Sequence, residues 1–283
     1  MSKALTVGLI QLCAGDDPAA NLDQTLPLIR QASAEGARFV LTPEATNMLS
    51  PDRARQRAML HHEDDDPTLA ALRAEARALG IWLLIGSLAL KTDDPDGRFA
   101  NRSFLIDPQG RIAARYDKLH MFDVAISETE QFRESATYRP GDRAVLAHMD
   151  DVPLGMTICY DLRFPHLYRR LAQAGARILT VPAAFSPTTG EAHWQVLLRA
   201  RAIETGCFVL APAQCGTHPA PHSPDRPPRH SHGHGMAVDP WGKVLADQGV
   251  TPGITVIRLD LDAVDGARSR IPSLSHDRPF DGP

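Results

Sequence analysis

Residues 155–165 read GMTICYDLRFP, and the fold turns on how this stretch is read. Ahead of the cysteine, Val152, Leu154, Met156 and Ile158 alternate with other residues, the two-residue period of a strand. Beyond it, Pro165 to Ala174 is amphipathic and opens on proline, which suits a first helical turn. Cys159 therefore stands at a tight strand-to-helix bend, where a side chain is displayed rather than packed. The competing interpretation is a small core thiol, the common state of a free cysteine. The rest of the chain has to decide between the two.

Working outward, β-type runs and helical patterns take turns. Ala4 to Leu12 reads as a strand, and Pro18 to Ala34 as a helix capped by Asp17 with Leu22, Leu26 and Ile29 on one face. Phe39 to Thr42 is the next strand. Asp66-Pro67 opens a second helix that Gly80 stops, and Ile81 to Leu90 is a buried strand. Asn101 to Ile106 and Arg111 to Tyr116 flank Asp-Pro-Gln-Gly, a hairpin signal. Further strands are expected near Ala144 to His148, at Arg177 to Val181, at Cys207 to Ala211, on both sides of Asp239-Pro240-Trp241-Gly242, and at Gly253 to Leu259; a helix is expected over His193 to Thr205. Residues 214–232, rich in Pro, His and Ser, read as a long surface loop. About a dozen strands with four or five helices, mixing βα units and hairpins, predict an α/β fold of mixed sheets with outer helices, as one domain over 1–283.

Bulk composition narrows the function. Of 283 residues, 43% are hydrophobic and 23% charged, which excludes disordered and fibrous classes. A net charge of -4 gives no electrostatic case for nucleic acid or an anionic membrane. MSKALTVGLIQLCAG is interrupted by Gln11 and reads as a strand, not a signal peptide, and no run reaches the roughly 18 apolar residues of a membrane span. Cys13, Cys159, Cys207 and Cys215 are far apart, which suggests reduced thiols and a cytoplasmic protein. His218, His222, His230, His232 and His234 crowd one segment, but their spacing matches no standard zinc pattern, so no metal and no cofactor is expected. HHEDDD at 61–66 reads as a solvated turn in which Asp66 caps the next helix.

Three polar residues follow apolar strands: Glu44 ends FVLTPE, Lys118 ends RIAARYDK and Cys159 ends VPLGMTIC. Each alone has a plain explanation as a loop carboxylate, a surface lysine or a core thiol. Together they are what attack on an amide carbonyl needs: a nucleophile, a base and a cation for the developing oxyanion. A free thiol is mostly protonated at neutral pH, so Glu44 would take its proton, while Lys118 and a backbone N–H after Cys159 would hold the negative charge.

The segments LTPEATN, YDKLHMFD and GMTICYDLRFP, in that order, resemble the signature regions of the nitrilase superfamily of carbon–nitrogen hydrolases. The likeness extends from VGLIQL through HWQVLLRARAIET, APAQCG and HGHGMAVDPWGKVLA to IPSLSHDRP, and is nearest to the Nit-type amidases. It implies a four-layer α-β-β-α sandwich, a homodimer, and a Glu44-Lys118-Cys159 triad. It also implies a supporting acid, assigned to Glu134 in FRESATYRPGD, with Glu128 and Glu130 close by. The implied reaction is cleavage of a small amide with a carboxylate or keto-acid end through a cysteine thioester. Deaminated glutathione, giving α-ketoglutarate and cysteinylglycine, is the leading substrate; α-ketoglutaramate or an N-carbamoyl amino acid is the alternative. A catalytically silent dimeric binding protein is the non-enzymatic alternative, which has no need of all three residues.

Arg163 is the candidate carboxylate clamp, with an ion pair to Asp161 or another acid as its other use. Tyr160, Thr188 and Thr189 are candidate pocket residues, although the threonines also suit a helix entry. His120 and Phe122 are expected to pack beside Lys118. Gly235 stands where such relatives commonly carry serine in HGHS.

Overall fold

The computed structural model describes residues 4–128 and 130–282. β1 (Ala4–Gln11) leads to α1 (Pro18–Ala34), whose cap Asp17 accepts the N–H groups of Ala19 and Ala20. β2 (Phe39–Leu41) and α2 (Arg53–Met59) precede α3 (Pro67–Leu79), which Asp66 caps and Gly80 ends in the left-handed conformation. β3 (Trp82–Leu90), β4 (Ala100–Ile106) and β5 (Ile112–Asp117) form a meander, followed by the short antiparallel ribbon of β6 (Asp123–Ala125) and β7 (Gln131–Arg133). Then come β8 (Val145–Met149), β9 (Val152–Met156), α4 (Pro165–Gln173), β10 (Ile178–Thr180), α5 (Pro187–Thr205) and β11 (Phe208–Ala211). The chain closes with β12 (Cys215–Thr217), β13 (His230–His232), β14 (Met236–Val238), β15 (Val244–Asp247), β16 (Gly253–Asp260) and α6 (Asp262–Arg270).

Two six-stranded mixed sheets result. The first runs β16-β1-β2-β3-β4-β5 and the second β15-β14-β11-β10-β9-β8. In each, three parallel strands joined through helices are flanked by antiparallel neighbours. Alternation along the first sheet shows the layering. Val40, Leu83, Ile85 and Phe104 pack with Ile29 of α1 and Leu72 of α3. Their neighbours Phe39, Leu41, Leu84 and Leu105 belong to a second core shared with Leu154, Met156, Leu179 and Val209 of the other sheet. That core continues into Leu167 and Leu171 of α4 and Trp194 and Leu198 of α5. The order is therefore helices, sheet, sheet, helices, the expected four-layer α-β-β-α sandwich. No helix among the described residues is long and apolar enough to cross a membrane.

The structure departs from the sequence reading at four points. Helix α5 starts at Pro187 rather than His193, because Ser186 caps it and Pro187 fits its first turn. Residues 214–232 are not simply a surface loop: Cys215–Thr217 pairs antiparallel with His230–His232, and His218, Ser223 and Ser231 are buried. Helices α2 and α6 were not read, since RARQRAM and DAVDGARSR carry no clear apolar stripe. The HHEDDD turn does more than face water, because Glu63 pairs with Arg102 at 2.7 Å and Arg115 at 2.6 Å; Asp66 caps α3 as expected.

Candidate active site

The first sheet delivers two charged groups and the second sheet the thiol. Glu44 lies three residues past β2, in a loop tied to β3 by the Thr42 N–H to Leu84 and the Ser87 N–H to Pro43. Lys118 follows β5 directly, its N–H bonded to the Asn101 carbonyl of β4. Cys159 lies past β9, and its N–H is taken by the Pro182 carbonyl at 3.0 Å. All three side chains are buried.

The bend at Cys159 is strained in a specific way. Its φ is +48°, a left-handed conformation that side chains other than glycine rarely adopt. Asp161 holds it there. This fully buried carboxylate accepts from the Ile158 N–H at 2.9 Å, the His120 N–H at 3.0 Å and the Tyr116 hydroxyl at 2.6 Å, and meets His120 Nδ1 at 2.6 Å. The Tyr160 N–H belongs to the first turn of a short 3-10 helix, Cys159–Arg163, where backbone donors lack an intrahelical partner. Ala45, directly after Glu44, also has a positive φ, +55°.

Lys118 Nζ donates to Glu44 Oε1 at 3.0 Å and to both oxygens of Glu134 at 2.8 Å. Asn101 Nδ2 bridges the same two acids, at 2.8 Å from Glu44 and 3.4 Å from Glu134. The other Glu44 oxygen accepts the Ala184 N–H at 2.8 Å, and Glu134 accepts the Phe122 N–H at 2.6 Å. Burial alone would raise Glu44, but Lys118 and the neighbouring hydrogen bonds hold it below the usual carboxylate range. Burial would lower Lys118, yet Glu134 and Glu44 keep it well above the ordinary amine range. Burial and then the Glu44 charge push the Cys159 thiol well above its ordinary range, against the pull of Lys118. The resting arrangement is a neutral thiol beside an ionised Glu44. Thiolate forms only when that proton moves.

These groups line a cavity of about 230 Å³, with Tyr160, Thr189, Phe122, Phe132, Tyr138 and Phe185 among its walls. Among the remaining expected site residues, Arg163 lies outside the lining. Its guanidinium sits 5.9 Å from the Tyr160 ring centre and 5.4 Å from that of Phe185, and it reaches His193 at 3.3 Å, not Asp161. Asp161 is committed to the bend. Thr188 is exposed and donates to Glu130 at 2.9 Å, so it too is outside the cavity wall. With Glu130 turned to Thr188 and Glu128 exposed, Glu134 is the acid that meets Lys118. Cys13, Cys207 and Cys215 do not line the cavity, and Gly235 lies against Gln11 and Gln248 instead. His120 packs as expected, stacked on Phe164, whereas Phe122 lines the cavity as well as holding Glu134. The loop histidines are engaged within the protein: His218 with Ala14 and Ser231, His230 with Thr217, His234 with Asp247. Sequence reasoning missed Asn101, an amide in the polar Asn101-Arg102-Ser103 start of β4, and the lining arginines Arg53, Arg133 and Arg229.

The sequence pattern of the carbon–nitrogen hydrolase family matches residues 6–269. The chain belongs to this family. As a carbon–nitrogen hydrolase it is 40% identical, over 98% of its length, to a Yersinia enterocolitica protein named deaminated glutathione amidase, covering 94% of that protein. Its fold is similar to the Caenorhabditis elegans NitFhit protein, with TM-score 0.88 and 33% identity over 98% of this chain and 66% of that one. It is also similar to Saccharomyces cerevisiae Nit3, a member of branch 10 of the nitrilase superfamily, with TM-score 0.84 and 26% identity over 98% and 97% of the two chains. The hydrolase thus carries the nitrilase fold that its three segments implied.

Proposed function

We propose that this hydrolase is an amidase that cleaves deaminated glutathione to α-ketoglutarate and cysteinylglycine through a Cys159 thioester. The observation that carries the mechanism is the Glu134–Lys118–Glu44 chain, running from a partly buried acid to a buried lysine and acid, beside a thiol on a strained bend. Glu44 takes the thiol proton as Sγ attacks the amide carbon. The oxyanion forms between the Lys118 ammonium and the Tyr160 N–H. Glu44 returns the proton to the leaving nitrogen, the C–N bond breaks, and the thioester remains. Glu44 then draws a proton from water, whose oxygen attacks the thioester carbon; collapse releases the acid and the protonated thiol. Glu134 and Asn101 position Lys118 and Glu44.

The substrate class is supported by the name of the Yersinia relative and by the cations in the wall. Deaminated glutathione is a dianion with a keto-acid end and a glycine end, and Arg53, Arg133 and Arg229 line the cavity. With Arg163 behind the wall, Arg53, whose Nε is buried without a partner, takes over the clamp role expected of it for the keto-acid end. The reading includes a homodimer, supported by Val196 and Ile203 exposed on α5 beside Trp241. It also includes a reducing, cytoplasmic setting, supported by four unpaired cysteines.

The test measures α-ketoglutarate release from deaminated glutathione and from α-ketoglutaramate, for wild type and Cys159→Ala. Preference for the peptide-like substrate, abolished in the variant, is the expected result. Preference for the small amide moves the substrate to α-ketoglutaramate. A fully active Cys159→Ala refutes the thioester.

A further inference from the structure

The cavity wall holds three guanidinium groups that the triad does not use. Arg53 comes from α2, Arg133 from β7 and Arg229 from the segment just before β13. Among the described residues none of the three is in an ion pair, and Arg53 Nε is buried without a partner. Asp123, which Arg133 faces, is already bonded to Ser135. Three cations from distant segments thus converge on one cavity, where an anion entering from solvent would meet them together.

Their depths differ. Arg133 and Arg229 are exposed, whereas Glu44, Lys118 and Cys159 are buried. In a thioester mechanism the acyl half stays bound to Cys159 while the amine half departs toward solvent and water replaces it. The leaving group therefore faces the exposed side, where Arg133 and Arg229 stand. A cysteinylglycine leaving group extends about 7 Å from the scissile carbon to its carboxylate, two residues at roughly 3.3–3.6 Å each. Arg229 shares the lining of this one cavity with Glu44 and Tyr138.

We propose that Arg229 and Arg133 form a rim subsite for the terminal carboxylate of the leaving group, and that this subsite sets the preference for a peptide-like amide over a primary amide. The subsite rests on the substrate reading given above. It adds a specificity determinant from β7 and from the segment just before β13, outside the three signature segments. A primary amide such as α-ketoglutaramate has no group to place there.

The experiment compares deaminated glutathione, its C-terminal glycinamide analogue and α-ketoglutaramate, on wild type, Arg229→Gln, Arg133→Gln and the double variant. Arg229→Gln should raise KM for deaminated glutathione about tenfold with kcat nearly unchanged, the scale of one charge-assisted contact. The glycinamide analogue should show a similarly raised KM with wild type and no further rise with the variants. KM for α-ketoglutaramate should not move, which also shows that the variants are folded. Equal losses on all three substrates, or no change on any, overturn the rim subsite while leaving the amidase reading intact. A wild type that cleaves none of the three removes the substrate reading, and the subsite with it.

Discussion

Replacing Glu134 by glutamine preserves its shape and removes its charge, and the structure makes the outcome severe. Every contact of this carboxylate is a donor: Lys118 on both oxygens, the Phe122 N–H on one and Asn101 on the other. Glutamine has a single acceptor oxygen, so its NH2 must point at Lys118 together with either Asn101 or the Phe122 N–H. One charge-assisted hydrogen bond, about 1.5–3 kcal/mol, is lost outright. Removing one partner of a buried pair costs about 3–5 kcal/mol, and Glu134 is only partly buried, so roughly 3 kcal/mol is expected. Lys118 would then lean wholly on Glu44, holding that carboxylate more firmly ionised and making it a weaker base. If the loss falls on the transition state, about 3 kcal/mol is roughly a hundredfold in kcat. The assay is kcat and KM for Glu134→Gln, with urea unfolding alongside to separate folding from catalysis. A folded variant with kcat within threefold of wild type would refute a role for Glu134 in positioning Lys118.

Two further outcomes follow from the same geometry. A Cβ on Gly86 would stand 2.1 Å from the Thr42 carbonyl, 2.5 Å from that of Pro43 and 2.6 Å from Pro182, so Gly86→Ala should cost about 3 kcal/mol in urea unfolding and displace Glu44 and Cys159 together; unchanged stability would mean the loop yields easily. His218 is buried and its pKa is pushed down to about 4, by burial first and then by Arg229, so the folded state holds it neutral while the unfolded chain binds a proton below about 6.5. Its contribution is present above pH about 6.5 and lost as pH falls to about 4, roughly 3 kcal/mol over that window, and His218→Gln should flatten this part of a stability-versus-pH profile.

Much of the site was legible because its chemistry sits at strand ends. Glu44 and Cys159 close apolar runs and Lys118 closes an alternating strand, and a strand end is a local property that periodicity reports. The earlier start of α5 at Pro187 was legible as well, since Ser186-Pro187 is a cap and first turn; the weaker apolar stripe of its first two turns hid it. Helices α2 and α6 were not legible, because polar segments fold there by docking on neighbours rather than by their own pattern.

Local sequence alone determined the alternation of strands and helices, the bend that displays Cys159, and the order of the three triad segments. Tertiary structure decided everything that needs two distant segments at once. Asn101 bridges Glu44 and Glu134 because β4 lies between β3 and β5. The Ala184 N–H reaches Glu44 because the second sheet faces the first. Arg163 went to an aromatic wall instead of the cavity, and Arg229 came into the cavity from a segment read as loop. Backbone periodicity records how a segment meets its own neighbours in the chain. Which side chains share a cavity depends on strand pairing and sheet stacking across tens to hundreds of residues, and no local pattern encodes that distance.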